Sequence, residues 1–177
     1  MSNETTPYGY NPANTSKYLR LSSKGEKAVI RIVSNPFIFL ESITDQDTGE
    51  IQEVERFAWL VIDKTDESKP RIRGYRASAS VFEKIKKLAE NPKWGDPTRY
   101  DIEVERTEQP GAGYWAVTPQ PPIANLSDAD KAMAESFGTT LQELYQVPGD
   151  KIIQDVDGSR PNETVAITTG INGKPLK

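Results

Sequence analysis

The chain has 177 residues, 36% of them hydrophobic and 27% charged, with 22 basic against 26 acidic side chains and a formal net charge of −4. It holds neither cysteine nor histidine. Disulfides, thiolate metal sites and imidazole acid–base or metal chemistry are thereby excluded, and the length suits one domain with extensions.

Residues 1–16, MSNETTPYGYNPANTS, are rich in Asn, Thr, Ser and Pro and are expected to form a flexible arm, with Tyr8 and Tyr10 as its adhesive side chains. The arm lacks the apolar stretch of a signal peptide, and no run approaches the length of a membrane span. In KAVIRIV, Ala28, Ile30 and Ile32 alternate with Val29, Arg31 and Val33, which predicts a strand. SNP then sets a break or bulge before FIFLESI continues it. After the turn-rich TDQDTGE, IQEVERFAWLVID predicts a second strand, with Phe57, Trp59 and Val61 on one face and Ala58, Leu60 and Ile62 on the other. PRIRGYRAS predicts a third.

The period then changes. SASVFEKIKKLAENP places Val81, Ile85, Leu88 and Ala89 on one helical face, with Lys84, Lys86 and Lys87 on a solvated one. Ser78 or Ser80 fits the N-cap and Pro92 the stop. WGDP forms a turn in which Trp94 is expected to plug the core. TRYDIEVERT alternates strictly, with Tyr100, Ile102 and Val104 inward. A glycine-containing loop and YWAVTP complete the order β-β-β-α-β-β, which is that of the five-stranded OB-fold barrel. The fold class expected is therefore mainly β: an OB domain over 17–122, after the arm at 1–16. A short helical extension at 123–147 and a largely disordered tail at 148–177 follow. The extension carries Leu126, Met133, Phe137, Leu141, Leu144 and Tyr145 on helices too short to stand alone. Their apolar faces need the barrel, a second protomer or a partner, and the segment is expected to be dispensable for intrinsic binding.

Three stretches, KYLRLSSKGEKAVIRIVSNP, the aromatic second strand and WGDPTRYDIEVERTEQPGAGYWAVTPQPP, resemble the phage-type single-stranded DNA-binding proteins with one OB domain. The resemblance covers Lys17 to Pro122, and the spacing from Trp94 to Pro122 is its specific part. It implies a cytoplasmic protein (host cytoplasm if viral) that coats and protects exposed strands during phage DNA replication or recombination, without sequence preference. Replication or recombination proteins and self-association through 123–147 are the further partners expected. No cofactor, metal or membrane is implied. The alternative is an OB-fold protein-interaction adaptor of a replication or structural complex without DNA affinity.

Charge is unevenly placed. KPRIRGYR carries four cations in eight positions, whereas residues 41–55 carry six carboxylates and no cation. In an OB-fold, strands two and three and two flanking loops, here 45–50 and 107–113, form the usual binding face. The candidate nucleic-acid-binding residues are therefore Phe57, Trp59, Arg71, Arg73, Tyr75, Arg76, Arg56 and Tyr114. Guanidiniums suit a phosphate track and aromatic rings suit base stacking, although Phe57 and Trp59 serve equally well to fill a barrel. Phe37 and Phe39 are expected in the core. Asp101 with Glu103 and Asp45 with Asp47 are explained by strand and turn positions rather than by catalysis. The glycine-rich GAG precedes no helix and is not a phosphate loop, so an enzyme is not expected.

Overall fold

The structure, a computed structural model, describes residues 17–107 and 114–158. The expectations placed on the arm at 1–16, on most of the 107–113 loop and on the tail beyond 158 lie outside the described residues. The chain is mainly β. Its strands are β1 (Tyr18–Leu19), β2 (Lys27–Ile32), β3 (Phe37–Thr44), β4 (Ile51–Asp63), β5 (Arg71–Ala77), β6 (Asp101–Arg106), β7 (Trp115–Gln120) and β8 (Ile152–Gln154). Helix α1 (Ala79–Glu90) lies between β5 and β6, and α2 (Asp128–Glu135) and α3 (Leu141–Leu144) follow β7.

The eight strands form one mixed sheet in the order β1-β5-β4-β2-β6-β7, with β3 paired to β4 and β8 to β3. Strands β2 and β3 lie along the same edge of the long β4: Ile32 pairs with Val61, and Phe37 with Ala58. The break expected at SNP is thus a bend in one continuous course. It is bridged by hydrogen bonds from Val33 N–H to the Leu60 carbonyl (3.0 Å) and from Leu60 N–H to Ser34 Oγ (2.9 Å). Strand β1 pairs in parallel with β5, an edge that period-two patterning does not reveal in a two-residue strand. Among the described residues no ladder joins β7 to β1 or β5, so the sheet stays open along that seam.

Apolar residues fill both faces of the sheet. The first core holds Ile30, Ile32, Trp59, Val61, Tyr75, Tyr100, Ile102 and Val104, closed by Val81 and Ile85 of α1. Helix α1 starts where Ser78 Oγ accepts the Val81 N–H at 3.2 Å. It presents Phe82 to the core, whereas Ala89, expected on that face, is exposed. Trp94 packs against the same core, 5.2 Å from the Tyr100 ring, in a turn that Gly95 permits with φ of 66°. The Tyr100 hydroxyl donates to the Gly95 carbonyl at 3.1 Å.

The second core lies on the opposite face, where Phe37, Phe39 and Ala58 meet Leu141, Leu144, Val147 and Ile152. The extension therefore buries its apolar side chains on the chain's own sheet. Of the three coverings expected for those apolar faces, this is the first, the domain itself. One expectation is corrected: the tail is structured as far as β8, because Phe37 and Phe39 offer an apolar surface and β3 an unpaired edge. Helix α3 begins with a capping box in which Thr140 and Glu143 satisfy one another's backbone N–H groups.

Ion pairs fix the remaining connections. Arg31, buried, donates to Asp101 at 2.6 Å and to the carbonyls of Thr98 and Ala124 at 3.3 and 3.2 Å. Lys64 lies 3.7 Å from Asp101 and 3.4 Å from Asp130 of α2. Asp101 is accordingly a structural carboxylate. Asp45 caps its own turn, accepting from Asp47 and Thr48 N–H at 2.8 and 3.0 Å, and those bonds hold its carboxyl below the usual range. No helix among the described residues is long and apolar enough to cross a membrane.

Candidate nucleic-acid interface

The eight residues singled out by sequence do not converge on one surface. Arg71, Arg73 and Tyr75 share a face, as period two requires, but it is the inner one: Tyr75 sits opposite Trp59, Arg73 opposite Val61 and Arg71 opposite Asp63. Trp59 and Tyr75 are 3% and 2% exposed, too little for a base to stack on either ring. Phe57 is buried too and lies parallel to Phe82 of α1, with centroids 4.1 Å apart. The aromatic platform on β4 is thus corrected to core. The helix covering the inner face brings its own aromatic, Phe82, against both rings.

The arginines divide likewise. Arg73 pairs with Asp63 at 3.4 Å and shares a pocket of about 290 Å³ with Asp63, Asp66, Lys69 and Arg71, where carboxylates accompany the cations. Arg56 and Arg76 project from the other face and both reach Glu41, at 2.5 and 3.3 Å. The Arg56 hydrogen bond is the chief reason that the Glu41 carboxyl is held below its ordinary value, with Arg76 adding to the effect against a partial cost of burial. Tyr114 is exposed.

A different surface assembles the chemistry that the sequence suggested. Along the open seam, β1 and β5 face the end of β6 and the start of β7 across a groove of about 590 Å³. Three arginines line it, Arg20, Arg76 and Arg106, and among the described residues its lining includes no carboxylate. Three aromatics, Tyr18, Trp115 and Tyr145, lie among them, with Tyr75 also in the lining. The Arg20 guanidinium lies 5.5 Å from the centroid of Tyr18, and that of Arg106 lies 5.8 Å from the centroid of Trp115, so cation and ring alternate along the walls. Trp115 stands opposite Arg106 in the β6–β7 ladder, and Thr107 N–H donates to the Tyr114 carbonyl at 2.8 Å just beyond it.

Part of this wall belongs to the extension. Leu144, Tyr145 and Gln146 line the groove, and the Tyr18 hydroxyl donates to the Leu144 carbonyl at 2.8 Å. The Tyr18 and Tyr145 rings meet at 5.5 Å. Close approach is possible because β5 has glycine at 74: a Cβ there would collide with the Leu144 side chain and lie 3.0 Å from the Tyr145 hydroxyl oxygen.

Arg76 is the one residue of the sequence-derived set with a charged group at this groove. Arg20, Arg106, Tyr18 and Trp115 were not foreseen as a site. Period-two patterning identifies which residues share a strand face, not which strand edges meet. The one available signal was the pairing of cation and aromatic at both ends of the domain, in KYLR and in ERT…YW.

Among the described residues no cluster of three or more acidic side chains is arranged to hold a metal ion. Comparisons with protein-family models, curated proteins and solved structures found no match to the chain.

Proposed function

We propose that the chain is a single-stranded DNA-binding protein of OB type, whose barrel is left unclosed where the strand enters. Several features of the topology support that fold. Counting the bent β2–β3 course as one strand, the order is β-β-β-α-β-β with α1 between the third and fourth strands, and the first strand pairs with both β4 and β6. The short parallel β1 occupies the edge of β5 that faces β7 across the groove.

The observation that carries the functional reading is the seam groove: three arginines, interleaved aromatic rings and no lining carboxylate among the described residues, on a chain whose net charge is −4. Guanidiniums neutralise backbone phosphates, and Trp115 and Tyr18 supply ring faces that accept any base, so binding is sequence-independent. A chain that coats exposed strands in this way protects them during phage DNA replication or recombination, and no catalytic step is part of the reading.

The deciding experiment is titration of a fluorescent oligothymidine. Binding at about 50 mM salt that weakens several-fold by about 200 mM supports the reading, because each neutralised phosphate releases counterions. Failure to bind at low salt would refute it in favour of an OB-type protein-interaction adaptor. Exposed Ile43 and Ile51 at the tip of the β3–β4 hairpin give that second reading its one specific feature.

A further inference from the structure

Among the described residues, positive φ is confined to the glycines at 25, 49, 95, 138 and 158 and one other residue, Gln146, at 53°. Gln146 follows Tyr145, the C-cap of α3. Its backbone N–H donates to the Glu143 carbonyl at 3.2 Å, and that of Val147 donates to the Gln142 carbonyl at 3.0 Å. These two bonds form the helix stop in which glycine is the usual residue, because a Cβ disfavours the left-handed region. A side chain kept there against backbone preference needs a use. The fold itself supplies none: Gln146 is exposed, and its side-chain amide makes no hydrogen bond among the described residues.

Its position supplies one. Gln146 lines the seam groove and also a second cavity, of about 260 Å³, between β3 and the extension. Arg76 and Tyr145 are the other residues common to both linings, so the two spaces meet at this corner. Lys151 lines the second cavity and not the first, and Val147 and Pro148 add apolar surface beside it. The one carboxylate in that lining among the described residues, Glu41, is already engaged by Arg56 at 2.5 Å and Arg76 at 3.3 Å. Lys151 pairs with Glu53, which lies outside the lining. Two cations, apolar surface and an uncharged amide that both donates and accepts suit a strand that turns here, with phosphates toward the cations and a base edge toward the amide.

We propose that a bound strand does not end in the seam groove but turns at Gln146 into the second cavity, where Lys151 takes a phosphate in place of Glu53. The proposal rests on the strand-binding reading and adds a direction and a second site to it. It also makes the C-terminal extension part of the binding surface, since Gln146 and Lys151 both belong to the chain after α3.

The test follows oligothymidines of about four to sixteen nucleotides, the range of one OB domain, with the full chain as wild type, Lys151→Gln, Glu53→Gln and Gln146→Gly. The first two variants break the same ion pair, so a structural role for that pair would move both in the same direction. A strand passing Lys151 moves them apart. With the longest oligothymidine, Lys151→Gln is expected to bind several-fold more weakly with a salt slope reduced by about 0.7, and Glu53→Gln as tightly as wild type or more so. With the shortest, which stays in the seam groove, both are expected to match wild type. Equal effects at both lengths would reduce the difference to long-range charge and overturn the path. Gln146→Gly should melt about 2 °C higher, relieved of its backbone cost, and bind the longest oligothymidine about five-fold more weakly. Higher melting with unchanged binding would remove Gln146 from the path. If all three variants bind every length as wild type does, the path is wrong and strand binding stands. If wild type binds no length at low salt, strand binding itself fails and the path falls with it.

Discussion

Two tryptophans with similar sequence surroundings have opposite fates, and their substitution should read out differently. Trp59 is enclosed by β2, β5 and α1, so Trp59→Ala leaves a large cavity and should destabilise the fold by roughly 3–5 kcal/mol in urea unfolding. Trp115 only borders that core and turns toward the groove, beside Arg106. Trp115→Ala should therefore weaken oligothymidine binding with little change in the salt slope, whereas Arg106→Ala should weaken it and reduce the slope by about 1. Titrations at several salt concentrations separate the two. Equal salt slopes for wild type and Arg106→Ala would remove Arg106 from the phosphate track.

Among the elements, α3 and its flanks carry the largest revision. Truncation after Pro122 removes Leu141, Leu144, Val147 and Ile152 from the second core and uncovers Phe37 and Phe39. The truncated chain should melt well below the full one and bind an apolar dye, and what remains folded should bind short oligonucleotides more weakly, since one groove wall is lost. A milder probe is Gly74→Val, whose side chain displaces Leu144 and Tyr145. It should speed amide exchange in α3 while sparing β2 and β6; unchanged exchange in α3 would show that the helix does not depend on this contact.

The same elements show how far the sequence was legible. The strands from 27 to 120, helix α1 and the inward set Tyr100, Ile102 and Val104 were readable, because each has a clean period and a cap or turn at its ends. The covering of the outer face was not. Apolar residues on both faces of β4 fit a strand covered on both sides or one covered on one side and adhesive on the other, and nothing local names Leu144 as the partner of Gly74, 70 positions away. The site failed for a related reason. Arg71, Arg73 and Tyr75 form a sound period-two set, yet whether that set faces in or out depends on register with Trp59 and Asp63, which is long-range information.

At the scale of the whole molecule, buried phenols set an alkaline limit. Tyr100 is fully buried, and burial, with a lesser contribution from Asp96, raises its hydroxyl to about 12 from an ordinary value of 10.0. Tyr75 and Tyr145 shift in the same direction. The unfolded chain loses these protons first, so stability is fully present below pH 10 and falls as pH rises from there through about 12. Ultraviolet titration should show a late group of tyrosines ionising together with loss of near-ultraviolet circular dichroism. A single smooth titration on a folded protein would contradict the burial of these rings.

Strand β4 separates the two cores while belonging to both: Trp59 and Val61 point into one and Ala58 into the other. A wall shared in this way couples the two compartments, because loss of β4 from one dissolves the second. The molecule should therefore behave as one cooperative unit despite its two separate apolar clusters. Calorimetric and van't Hoff enthalpies should agree, and the amides at 57–62 should exchange only through complete unfolding, at one common free energy.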